Sequence, residues 1–240
     1  MKKLLLPKQH GAWVMVFLPF LIGVIVGRPD WIHILLFLGW LLLYISSYPL
    51  LNAVKNKKKR SIYIKWFASY TGLALLFLLV PVLLQPKLLL VGVVLLPVLA
   101  VNLSYAKRKN ERALLNDLAA IIGLCAGGPA AYYAGTGAWD ETALYIWAAS
   151  VLFFIGSVFF VKMFIREKKN ATFKWYSWAY HGFVFISSFV FGFITLGIAY
   201  SFSFLRSFVF YKRPLRPKQT ALIEAVNSVY FLIVMVIWLA

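Results

Sequence analysis

The string Pro7-Lys8-Gln9-His10-Gly11-Ala12-Trp13 sets an ammonium, an imidazole and an indole within two helical turns. An imidazole in that position can contact an anionic headgroup or carry a proton, and its near-neutral pKa could couple binding to pH. Gly11 and Ala12 let a helix or a headgroup come close. Taken by themselves the same residues are better read as an interfacial anchor, since Trp and Lys favour that depth anyway. A second cluster, Asn52 to Arg60, ends in the run Lys57-Lys58-Lys59-Arg60. The run itself is what a stop-transfer signal looks like. Asn52 and Asn56 are one turn apart and share a face, and amides are costly against lipid, so both are expected to face an internal cavity.

The third cluster is Tyr105 to Arg112, with Lys107, Arg108 and Lys109, followed by Asn116 and Asp117. Asp117 is expected more than a turn inside a helix, where a carboxylate must be paired or wet. Gly123, Gly127, Gly128 and Pro129 follow it, suiting close packing and a local break. In the fourth cluster Lys162 and Arg166 are four apart and share a face, and snorkelling to an interface explains Arg166 easily and the deeper Lys162 less so. His181, Arg206, Glu224 and Asn227 complete the polar residues set in apolar surroundings, with Glu224 and Asn227 on one face. His33 falls in a turn and carries no assigned role.

The elements that position these groups are membrane helices. The chain is 62% hydrophobic and 18% aromatic against 13% charged, more apolar surface than a soluble domain of 240 residues can hide. Nine apolar segments are read as spans, 11–27, 31–53, 64–84, 88–105, 113–135, 142–164, 175–195, 196–211 and 220–239. The segment 196–211 is short and holds Arg206, so it is either tilted or fused with its predecessor. With the N-terminus cytoplasmic and the C-terminus external, 22 of the 25 lysines and arginines fall on the inner side. Only Arg28, Lys87 and Arg206 do not, while Asp30, Asp140 and Glu141 mark outer turns. The expectation is an all-α, polytopic transmembrane helical bundle of about nine spans, a single integral domain over 1–240, multi-pass in the cell membrane.

The net charge of +18 needs no nucleic acid, because the basic residues abut apolar spans, where anionic lipid attracts them. The lone Cys125 excludes an intrachain disulfide and a multi-cysteine metal site. The opening Met1-Lys2-Lys3-Leu4-Leu5-Leu6 imitates a signal peptide, but Pro7 to His10 interrupts it and no cleavage site follows, so the segment is expected to be retained.

Nine spans with polar clusters at the inner ends of helices two and six, and between four and five, resemble the UbiA-type intramembrane prenyltransferases. Those enzymes hold a prenyl diphosphate through magnesium on two Asp-rich motifs, the first beginning Asn-Asp-x-x-Asp-x-x-x-Asp. Laid on Asn52, that motif puts Ala53, Asn56 and Arg60 where its aspartates fall. The second region offers Lys162, Arg166 and Glu167. Two neighbouring hard-cation sites need several carboxylates, and this chain has seven acidic residues in all, so no metal or other cofactor is expected. The Gln9-His10-Gly11-Ala12-Trp13 string, together with length and span count, more closely resembles the YwiC-like family of bacterial membrane proteins, over the whole chain.

Two functions follow. In the first, a UbiA-like bundle takes an isoprenoid or acyl tail, and cationic groups in a cavity open to the cytoplasm hold an anionic headgroup without metal. His10, Asn52, Asn56, Lys107, Arg108, Asp117, Lys162 and Arg166 form that site, membrane lipids are the partners, and a divergent prenyltransferase-like activity stays open. In the second, Asn52, Asn56, Asp117 and Arg206 line the path of a small-solute or ion transporter or channel. No internal repeat or matched pair of broken helices supports the second.

Overall fold

The computed structural model describes residues 4–7, 10–167, 169–211, 213 and 215–240, leaving the His10 side chain outside. Ten α-helices follow one another in these residues, with no strand among them. They are α1 (His10–Val26), α2 (Ile32–Lys55), α3 (Arg60–Leu84), α4 (Leu89–Lys107), α5 (Leu114–Cys125), α6 (Gly127–Thr136), α7 (Glu141–Ile165), α8 (Phe173–Val190), α9 (Ile194–Val209) and α10 (Pro217–Leu239). An apolar medium offers backbone groups no other partner, so each span must satisfy its own hydrogen bonds. Pro19, Pro49, Pro81 and Pro97 all lie inside helices, as membrane helices tolerate.

Six stretches are long and apolar enough to cross a membrane: α2, α3 with its leading turn, α4 with its leading turn, α5 with α6, α7, and α10. Helices α1 and α9 are shorter apolar helices, and α8 is not among the six. The nine expected segments each contain a helix, but length and hydropathy support fewer full spans. The fifth segment is two helices rather than one, interrupted at Ala126 just before Gly127 and Gly128. The short segment after 195 is not fused with its predecessor. Gly192 takes φ 81°, a left-handed conformation glycine adopts without steric cost, and reverses the chain between α8 and α9.

Contacts divide the chain into two compact units, Met1–Trp147 and Ala148–Ala240. In the first, α2 and α3 pack as a hairpin and α1 packs on α6. Small residues set that second approach, because a Cβ on Gly23 would fall on the Gly128 carbonyl oxygen, and one on Gly135 would fall on that of Gly27. The core joins Val16 and Phe20 of α1, Leu36, Trp40 and Tyr44 of α2, and Ala130, Ala131 and Tyr133 of α6. His33, to which the sequence lent no role, is buried here. Its Nε2–H donates to the Ala131 carbonyl at 2.9 Å while Nδ1 accepts from the Asp30 N–H at 3.0 Å, tying the start of α2 to α6.

In the second unit α8 packs on α9, and α9 on α10. Aromatic donors reach carbonyls of neighbouring helices: Tyr200 Oη to Ala149 at 2.9 Å, Tyr180 Oη to Leu152 at 2.8 Å and Trp178 Nε1 to Ser207 at 3.0 Å. These bonds hold apolar helices in register where the hydrophobic effect between lipid-bathed surfaces is weak.

Candidate functional site

The first unit carries a cavity of about 420 Å³ between α2, α3, α4 and α5. That volume lies in the range of small-molecule sites. Its walls are apolar, with Leu43, Leu50 and Leu51 from α2, Phe67 from α3, Leu95, Val98 and Leu99 from α4, and Ala120 and Leu124 from α5. Leu96, another lining residue, is 65% exposed and carries the α4 wall out to the protein surface. Polar groups enter mainly toward one end, with Asn102 in the last turns of α4, Glu111 in the loop before α5, and Asn116 in the first turn of α5. Ser46, Ser47 and Thr71 lie deeper among the lining residues.

That end is strongly basic. Lys55 closes α2 and pairs with Glu111, its Nζ 2.8 Å from Oε1 and 2.9 Å from Oε2. The pair brings two loops to one place, one carrying Lys57, Lys58, Lys59 and Arg60, the other Lys107, Arg108, Lys109 and Arg112. Apart from Lys55 all of these cations are exposed. The second loop is itself built by local bonds. Lys109 takes φ 55°, a left-handed residue that ends α4, and the Asn116 Nδ2 donates to the Glu111 carbonyl at 2.9 Å.

Several site residues fall elsewhere than the sequence predicts. Asn52 is half-buried in α2 and donates from Nδ2 to its own helix, to the Tyr48 carbonyl at 2.8 Å, without lining the cavity. Asn56 is exposed and does not share its face, because the helix ends at Lys55 and Asn56 leaves it at φ −119°, ψ 88°. Its Oδ1 accepts from the Lys59 N–H and caps the short turn 57–59. An amide that can cap a helix stop competes with continuation of the helix, which is why the expected one-turn spacing fails. Asp117 stands in the first turn of α5, not more than a turn inside it, because α5 starts at Leu114. An acidic residue is favourable there through the helix dipole. Lys107 and Arg108 are exposed at the basic end. Lys162, buried in α7, and Arg166, exposed just past its end, belong to the second unit.

The cavity's own polar residues, Asn102, Glu111 and Asn116, were less conspicuous. Amides inside apolar stretches and one acid within a basic run were the signals that could have singled them out. Magnesium of the prenyltransferase kind does not fit. Ala53 is a buried methyl, Asn56 a cap and Arg60 a cation, and among the described residues no group of three or more His, Cys, Asp or Glu gathers.

A second polar cluster is buried in the second unit. Arg206 of α9, 2% exposed, forms an ion pair with Glu224 of α10. Its guanidinium carbon lies 4.2 Å from the Phe160 ring centre and its Nη2 is 3.5 Å from Ser157 Oγ, both on α7. One turn away Asn227 Nδ2 donates to Ser203 Oγ at 2.9 Å. His181 donates from Nδ1 to the Ser177 carbonyl of its own helix at 2.7 Å. The ion pair and the Asn227–Ser203 bond tie α9 to α10, and the Arg206 contacts tie α9 to α7.

Apolar helices of spanning length, with charges collected at helix ends and the intramembrane arginine paired, define an all-helical integral membrane protein. The YwiC-like protein family matches residues 6–132, and the chain belongs to that family. It is 44% identical over 237 residues to the uncharacterized protein YwiC of Bacillus subtilis (strain 168), covering 99% of each chain. It is 35% identical over 238 residues to an uncharacterized protein of Haemophilus influenzae, covering 98% of each. No solved structure matches it. The family match lies within the first unit, whereas the two relatives run through both.

Proposed function

We propose that this protein binds the anionic headgroup of an isoprenoid or other membrane lipid at the basic end of the first unit, with the tail in the cavity. The observation that carries the reading is the pairing of one apolar cavity of about 420 Å³ with a polar, cation-rich end. Lys107 and Arg108 supply headgroup contacts as point charge and forked donor, without metal. Asn52, Asn56 and Asp117 stand in elements at the same end, and His10 opens α1. In this reading the architecture is UbiA-like in placing its polar clusters at the ends of helices, with Ala53, Asn56 and Arg60 where the first motif's aspartates would be.

In the cell membrane the basic end faces the cytoplasm in this reading, because lysine and arginine resist translocation. Reporter fusions after residues 60 and 110 are expected to read cytoplasmic, and fusions after 29 and 86 external. An external reading after 110 would reverse the site's orientation.

Native mass spectrometry of gently solubilised protein identifies the ligand. A lipid enriched over its share of the membrane is expected to co-purify, and Leu99→Trp, which fills the cavity from α4, is expected to lose it. Each methylene excluded from the cavity forfeits about 0.8 kcal/mol, so losing room for two weakens binding on the order of tenfold. Lipids present in bulk proportion, unchanged by Leu99→Trp, would count against the reading.

A further inference from the structure

Among the described residues Glu111 is the one carboxylate lining the cavity, and it stands where cations crowd. Both its oxygens lie against a single ammonium, Lys55 Nζ, at 2.8 and 2.9 Å. Its backbone is held in place independently, by the Asn116 amide on its carbonyl. A carboxylate fixed at a cavity mouth on the nearest lysine has the shape of a bound anion supplied by the protein itself.

We infer that the Lys55–Glu111 ion pair is a latch on the cavity, in which Glu111 holds the place taken by the ligand's anionic headgroup when the site fills. The inference rests on the proposal that the cavity takes a lipid, and it names what selects that lipid. The side chains of the pair are 25% and 31% exposed, so the bond is worth little and exchanges readily. A phosphate group brings at least an equal charge with more acceptor oxygens, and can displace the carboxylate. Glu111 then turns to solvent beside Arg108, Lys109 and Arg112, its neighbours in sequence. A headgroup of no net charge, such as that of phosphatidylcholine, whose own choline cation offsets its phosphate, competes poorly with Glu111 for Lys55 and leaves the latch shut. Selectivity for anions therefore comes from a competing internal anion as well as from the cations.

The chemistry recognised is a phosphate-type anion, and its source, lipid headgroup or free ion, is separated by two arms of one experiment. Purified full-length protein, its Glu111→Gln and its Lys55→Gln are exposed to phosphatidylglycerol or phosphatidylcholine in native mass spectrometry. Thermal shifts with millimolar inorganic phosphate alone form the second arm. Glu111→Gln is expected to raise phosphatidylglycerol occupancy about fivefold by removing the competitor, with phosphatidylcholine unchanged. Lys55→Gln is expected to bring phosphatidylglycerol down to the phosphatidylcholine level. A phosphate-induced shift that grows in Glu111→Gln would support the same exchange with a free anion. Glu111→Asp, with shorter reach, should give a smaller gain and stands in if the amide variant fails to purify.

If Glu111→Gln leaves both the phosphatidylglycerol and the phosphate responses at the wild-type level, the latch is overturned. That outcome leaves the cavity reading standing as long as Leu99→Trp still removes the co-purifying lipid. Retention of lipid by Leu99→Trp overturns the cavity reading by itself.

Discussion

Glu224→Gln is expected to lower the stability of the folded protein by about 3–5 kcal/mol, because it leaves the Arg206 guanidinium buried without its counter-charge. Arg206 cannot snorkel out of its position. It is 2% exposed, stacked on Phe160 and directed at Ser157, so no alternative anion is at hand. An exposed charge would relax into water, whereas this one keeps its full desolvation cost. Arg206→Met combined with Glu224→Leu removes both charges together and is expected to recover most of the loss, since isosteric apolar replacement of a buried pair is often neutral. Thermal denaturation of the detergent-solubilised variants reads the comparison. A Glu224→Gln protein that melts with the wild type would show that the pair contributes nothing, and the role assigned to it in joining α9 to α10 would fall.

A comparable effect is expected where α1 meets α6. Gly23→Val and Gly135→Val each place a branched side chain on a carbonyl oxygen of the facing segment, of Gly128 in one case and Gly27 in the other. Backbone cannot yield as a flexible side chain would, so α1 and α6 must separate, at a cost of about 1–3 kcal/mol or more. Separation also opens the core around Val16, Phe20 and Ala131. The matched control is Gly72 of α3, which has nothing within 4 Å of a built Cβ. Gly72→Ala should leave stability unchanged or raise it slightly, as alanine favours a helix. Equal melting of Gly23→Val and Gly72→Ala would show that close approach does not hold the first unit together.

Arg206 and Asn56 show how far a one-dimensional reading reaches. Arg206 broke the pattern of apolar residues within 196–211, and that made the segment doubtful as a helix of its own. The structure resolves the doubt through Glu224, eighteen positions on, because an ion pair can neutralise a charge that local composition leaves stranded. Asn56 misled in the opposite direction. Four-residue spacing implies a shared face only while the helix continues, and the Asn56 side chain prefers to cap the next turn. Glu111 was legible as an acid among bases, but nothing local linked it to Lys55, fifty-six positions earlier.

The sequence by itself determined the medium and the element type. Its apolar content exceeds what a soluble interior can bury, and in lipid a continuous apolar run has helix as its answer, since the backbone has no other partner. Charge ends, the break near Gly127 and the closeness permitted by small residues are also local properties, carried by residue type alone. Only the tertiary structure decided which groups meet. The cavity exists because α2, α3, α4 and α5 pack at angles and distances set by many side chains at once, and its volume is the residue of that packing. Pairing of Lys55 with Glu111 and of Arg206 with Glu224 likewise depends on helices brought side by side. Coulomb attraction acts over a few ångströms of space and is indifferent to distance along the chain.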